Sequence, residues 1–148
     1  MLFSFNQNKP YERKYAMKTL VISKQEISQL LSMPELIQNM KDAYVTYNSN
    51  KTVQPQRTTS QIDDTSIVVN IPGYLPGSSM FTVKVNVKNP SNVMIGLPFL
   101  MGTILLIDKK TGQLLSIMDS GLITAMRTGA AGAVAIEALA NPGEKKLL

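Results

Sequence analysis

The sequence predicts an α+β fold, in which N-terminal helices pack on a mostly antiparallel sheet and a long helix closes the chain. Three observations point to it. Apolar residues recur at helical spacing from Leu36 to Tyr47 and alternate at a period of two from Met80 to Lys88. The stretch from Asp119 to Ala140 is a run of small and apolar residues whose only charges are Asp119, Arg127 and Glu137.

Taken in order, Leu20-Val21-Ile22 reads as a short strand, and Ser23 with Glu26 has the capping-box spacing that opens a short helix. The same spacing recurs at Ser32 and Glu35, with Pro34 in the first turn, where its missing N–H costs nothing. Leu36, Ile37, Met40, Ala43, Tyr44 and Tyr47 then make one helical face, predicted to meet the core. Asn48 to Thr52 ends this helix, and Val53 to Gln61 continues as an extended segment containing Arg57. Ser66 to Ile71 reads as a strand, with Pro72-Gly73 and Pro76-Gly77 as turns.

Met80 to Lys88 is the clearest strand. Strict alternation puts Phe81, Val83, Val85 and Val87 on one face, predicted as core, and Thr82, Lys84, Asn86 and Lys88 on the other. That second face is either a solvated sheet surface or the floor of an anion site. Thr103 to Ile107 and Gln113 to Met118 flank the turn from Asp108 to Gly112 as a hairpin. Asp119 or Ser120 is placed to cap the last helix, which should stop before Asn141-Pro142-Gly143. Glu144 to Leu148 resembles the opening of a further strand.

Composition narrows the chemistry. The chain has 148 residues, 44% hydrophobic and 17% charged, and its mean hydropathy is +0.02. These values describe one globular domain, expected over residues 19–148 after a poorly ordered leader at 1–18. Arg127 and Glu137 interrupt the longest apolar run, so a cytoplasmic protein with no membrane partner is expected. With no Cys and no His, disulfides, zinc sites of the usual kind, Cys nucleophiles and His acid–base catalysis are excluded within these residues, and no metal site is expected. Proton transfer falls to Lys, Asp, Glu or Tyr. A net charge of +5 permits an anionic partner, but the basic residues are scattered, so nucleic acid is not expected.

Arg127 in the middle of a small-residue helix needs a counter-charge or a route to water, so it either binds an anion or snorkels. Gly129 and Gly132 cost roughly 1 kcal/mol each against Ala in a helix interior, which suggests a close approach to the backbone.

Four segments together carry a family likeness: Lys84-Val85-Asn86-Val87 with Asn89-Pro90 and Asn92; Gly96-Leu97-Pro98; Leu106-Ile107-Asp108 with Thr111-Gly112; and Met118-Asp119 leading to Thr124-Ala125-Met126-Arg127-Thr128-Gly129-Ala130-Ala131. In order and spacing they resemble the ornithine cyclodeaminase and mu-crystallin family, which includes alanine dehydrogenases and ketimine reductases dependent on NAD or NADP. The likeness runs from about Val21 to Leu148, and the Arg-Thr-Gly-Ala-Ala-Gly wording is nearest the alanine dehydrogenase branch.

The resemblance implies a substrate-binding and dimerisation domain, paired as a homodimer, that precedes a Rossmann domain. Its partner would be a small amino or keto acid. Arg57 would clamp the α-carboxylate, Lys84 would contact that carboxylate or the carbon being oxidised as the catalytic group, and Arg127 with Thr128 would reach the cofactor phosphate. Where the family often has a small hydroxyl residue after Gly96-Leu97-Pro98, this chain has Phe99. No G-x-G-x-x-G occurs in the 148 residues, so the nucleotide domain is expected to be missing here and this portion inactive alone. The alternative is a non-catalytic module that dimerises or holds a small carboxylate.

Overall fold

The computed structural model describes residues 18–49, 55–141 and 143, so the expectations for a leader and for a strand at Glu144 lie outside the described residues. The elements are β1 (Leu20–Ile22), α1 (Lys24–Leu30), α2 (Met33–Asn48), β2 (Thr58–Gln61), β3 (Ile67–Tyr74), β4 (Met80–Lys88), a 3-10 turn (Pro90–Ile95), β5 (Leu100–Asp108), β6 (Leu114–Asp119) and α3 (Ser120–Leu139). The strands form one sheet in the order β1-β6-β5-β4-β3-β2. Only β1 and β6 run parallel, and the other neighbours are antiparallel.

Local chemistry accounts for most boundaries. Ser23 and Glu26 form the reciprocal capping box at the start of α1. Asp119 caps α3 by accepting from the amides of Gly121 and Leu122. In the β5–β6 turn the Asp108 carboxylate accepts from the Lys110 and Thr111 amides and the Thr111 hydroxyl. Those bonds hold its pKa below the ordinary value, and Gly112 takes the left-handed conformation that ends the turn.

Several expectations are corrected. Ser32 makes no side-chain cap bond, and the Pro in the first turn opens α2 instead. Pro72-Gly73 is strand rather than turn, with Pro72 opposite Val83 and Gly73 opposite Thr82. Proline is tolerated there because β2 pairs with β3 only as far as Asn70, so at Pro72 the strand has an unpaired edge to which no amide need donate.

The layering also differs from expectation. α3 lies against β5, α1 touches β6 and α3, and α2 rests chiefly on α3 rather than on the sheet. As a result no residue of α2 is fully buried, and Tyr44 and Tyr47 stay 45% and 56% exposed.

The two sheet faces exchange roles. The helices cover the face carrying Lys84, Asn86 and Lys88, and Asn86 is the one fully buried residue of β4. The face of Phe81, Val83, Val85 and Val87, predicted as core, has no helix over it among the described residues and is only half-buried. Its paired neighbours are also largely apolar: Val68 and Tyr74 on β3, and Met101, Leu105 and Ile107 on β5.

Among the described residues α3 is the one helix long and apolar enough to cross a membrane, its mean hydropathy reaching 1.3, contrary to the expectation from Arg127 and Glu137. In the fold it lies across the sheet, with Ala130 fully buried. Among the described residues nothing crowds Gly129 or Gly132. A Cβ at Gly129 would sit 3.9 Å from Met33 Cε, and one at Gly132 would meet nothing within 4 Å.

Candidate functional site: a basic cavity between sheet and helix

The site starts from two periodicities brought face to face. Alternation along β4 puts Lys84, Asn86 and Lys88 on the covered face. On α3, Ser120, Thr124 and Arg127 follow one another at spacings of four and three, so they line one side of the helix. Where these rows meet, Arg57, Val69, Ile71, Lys84, Asn86, Lys88, Leu100, Thr124 and Arg127 line a half-open cavity of about 170 Å³. At roughly 30 Å³ per water, it has room for about six waters, the scale of a small amino or keto acid and far below a dinucleotide.

Strand register brings Arg57 into this group. β2 starts one residue later, with Thr58 opposite Asn70, so Arg57 stands level with Ile71, which is itself opposite Lys84. Two strand spacings separate Arg57 from Lys84, about 10 Å between backbones. Both long side chains can span that gap over Ile71.

Four cations and no carboxylate line the cavity. Among the described residues the single ion pair is Lys41 with Glu137, which lines no part of this cavity. The Lys84 ammonium is therefore held below its ordinary pKa, first by burial and then by the positive charges of Arg127 and Arg57. An anion between these groups would relieve the repulsion that they otherwise impose on one another.

Beneath the cations is a polar link that the sequence reading did not foresee. The Ser120 hydroxyl, fully buried, donates to Asn86 Oδ1 at 2.7 Å. Gly102 makes room for it. A Cβ at Gly102 would lie 2.2 Å from the Val85 carbonyl oxygen and 2.4 Å from Asn86 Oδ1, closer than any side chain tolerates. Gly102 stood unmarked in an apolar run, and only the pairing of β4 with β5 puts it opposite Asn86.

Of the residues predicted for the site, Arg57, Lys84 and Arg127 are brought together. Thr128 is not. It is exposed, and its hydroxyl donates to the Thr124 carbonyl at 2.7 Å. Phe99 lies outside the cavity lining and is 46% exposed. Thr124, quoted in the sequence only as part of a motif, is inside.

A mixed sheet with one helical layer and a small basic cavity between them can hold a small anion. Residues 17–147 match the ornithine cyclodeaminase/mu-crystallin family, and the chain belongs to that family. It is 31% identical over 125 residues to alanine dehydrogenase of Archaeoglobus fulgidus, a match covering 84% of this chain and 38% of the relative. Among solved structures, Thermococcus litoralis Delta(1)-pyrroline-2-carboxylate reductase in complex with NADH and L-proline superposes with a TM-score of 0.78 at 37% identity, covering 83% of this chain and 38% of that one. An archaeal alanine dehydrogenase dimer with bound NAD gives 0.77 at 29% identity over the same shares. The chain thus spans about two fifths of the length of these relatives.

Proposed function

We propose that this chain supplies the substrate-binding and dimerisation part, residues 19–148, of an NAD(P)-dependent amino-acid dehydrogenase or cyclodeaminase-like enzyme, and that these residues alone do not transfer hydride. The observation that carries the proposal is the convergence of Arg57, Lys84 and Arg127 on one small cavity with no acidic side chain in its lining. In this reading the planar guanidinium of Arg57 binds the carboxylate of an amino or keto acid through parallel hydrogen bonds. Lys84, with its lowered pKa, is the catalytic group, able to polarise a carbonyl or imine or to move a proton near its own nitrogen.

NAD or NADP would act as the hydride carrier when bound. The described residues suit only one edge of such a molecule. Arg127, exposed on α3, could meet a phosphate beside the cavity, and Thr128 could do so only by giving up its bond to the Thr124 carbonyl. The space itself is the size of the acid, not of the dinucleotide.

Two measurements test the proposal. Calorimetry should show binding of pyruvate or L-alanine, and NADH formation from L-alanine, L-ornithine or L-proline by these 148 residues should stay at background. Robust turnover would overturn it.

The uncovered sheet face supports a second reading, a module whose task is to pair. A half-buried row of Phe81, Val83, Val85 and Val87 with apolar neighbours on both sides is the kind of surface that a second copy covers. Pairing without any affinity for small acids would favour this reading over the first.

A further inference from the structure

We infer that the Thr124 hydroxyl is a hydrogen-bonding contact to the small acid, donating to the carboxylate that Arg57 and Lys84 attract. The inference rests on the carboxylate-binding reading above and adds one group to it. Thr124 lines the basic cavity, and its Oγ1 is buried with no hydrogen-bond partner among the described residues. Taking a hydroxyl out of water without pairing it is costly, and folded proteins rarely leave one so.

Helices offer threonine an easy remedy, a bond back to the carbonyl four residues earlier. Thr128 takes it, donating to the Thr124 carbonyl. Ser120 satisfies its own hydroxyl on Asn86. Of three hydroxyls spaced four residues apart along α3, the outer two are therefore spent inside the protein. The middle one is left unpaired and closed off beside the cavity, where a turn between the two χ1 rotamers that threonine uses in a helix would bring it to an occupant.

What would satisfy it follows from its neighbours. The cavity lining has four cations and no carboxylate, so its occupant carries negative charge. A carboxylate offers about four acceptor positions, more than one guanidinium fork fills. A hydroxyl supplies a donor without adding another charge to an already repulsive cluster. Val69, Ile71 and Leu100 form the apolar part of the wall and can supply none.

The test is calorimetric titration of the full chain with pyruvate and, as a second probe, L-alanine, for the wild type, Thr124→Val and Thr124→Ser. Valine keeps the shape and removes the hydroxyl, whereas serine keeps the hydroxyl. Thr124→Val should weaken pyruvate binding about tenfold, in line with a hydrogen bond to a charged group, and Thr124→Ser should stay within about threefold of the wild type. Melting of the ligand-free protein separates a binding role from a structural one. Thr124→Val should melt at or above the wild type, because the hydroxyl it loses holds nothing in place. Equal affinity of the wild type and Thr124→Val overturns the inference alone, as does a lower melting point that accounts for the lost affinity. A wild type that binds neither probe overturns the carboxylate reading and this inference together.

Discussion

Lys84 is the residue at which the forces in this molecule are most plainly opposed. Burial and two neighbouring guanidinium groups disfavour its charge, so its folded pKa lies below the ordinary lysine value and the protonated form costs stability. The sign follows directly. The penalty is complete below the folded pKa, shrinks as pH rises from there, and vanishes above the unfolded pKa near 10.5, where both states are neutral. Stability of the ligand-free protein should therefore rise with pH across that alkaline window, and Lys84→Met should abolish the rise, as denaturant titrations at several pH values would show. Affinity for pyruvate should move the other way, weakening as Lys84 deprotonates, because the neutral amine no longer attracts the anion. Arg57→Ala and Lys84→Ala should each weaken pyruvate binding by about 1.5–3 kcal/mol, the range for hydrogen bonds to charged groups, with little change in melting temperature. A comparable loss of stability in both would mark them as structural.

Among the elements, α3 depends on a link that side-chain type alone could not reveal. Ser120→Ala would leave Asn86 Oδ1 buried without its donor and should cost about 1–3 kcal/mol, measurable as a shift in the urea midpoint. Gly102→Ala should cost at least as much, about 3 kcal/mol, because a methyl group there collides with the β4 backbone. Legibility in the sequence followed the range of the interactions. The cap at Ser23, the limits of β4 and the Asp108 turn are set by neighbours within a few residues and were readable, and the cap of α3 was narrowed to Asp119 or Ser120. Gly102 opposite Asn86, and Pro72 at an unpaired edge, depend on strand pairing, which no local pattern encodes. The face of β4 chosen as core was misassigned for the same reason, since alternation says that two faces differ but not which of them a helix will cover. Lys84 and Arg127 were each legible as possible anion contacts from their own patterns, and Arg57 joined them as a set only through the family resemblance. That Thr124 lines the cavity and Thr128 does not is decided by the rotation of α3 over the sheet.

At the scale of the whole molecule, the uncovered sheet face sets the expected assembly. Light scattering after size exclusion should report a dimer, and a charge at the middle of the face, Val83→Lys, should shift it toward monomer. A clean monomer at high concentration for the wild type would argue against pairing through this face. The parallel placement of β1 beside β6 has a different consequence. Thr19 bonds to the Leu114 carbonyl across 95 residues of sequence, so the first strand finds its seat only after the hairpin ending at Asp119 exists. A ribosome emitting this polypeptide would release both early helices well before the surface that receives them, and contacts of such long sequence separation form slowly. Refolding should accordingly be rate-limited by that closure, leaving a window in which nascent chains rely on chaperones or clump together.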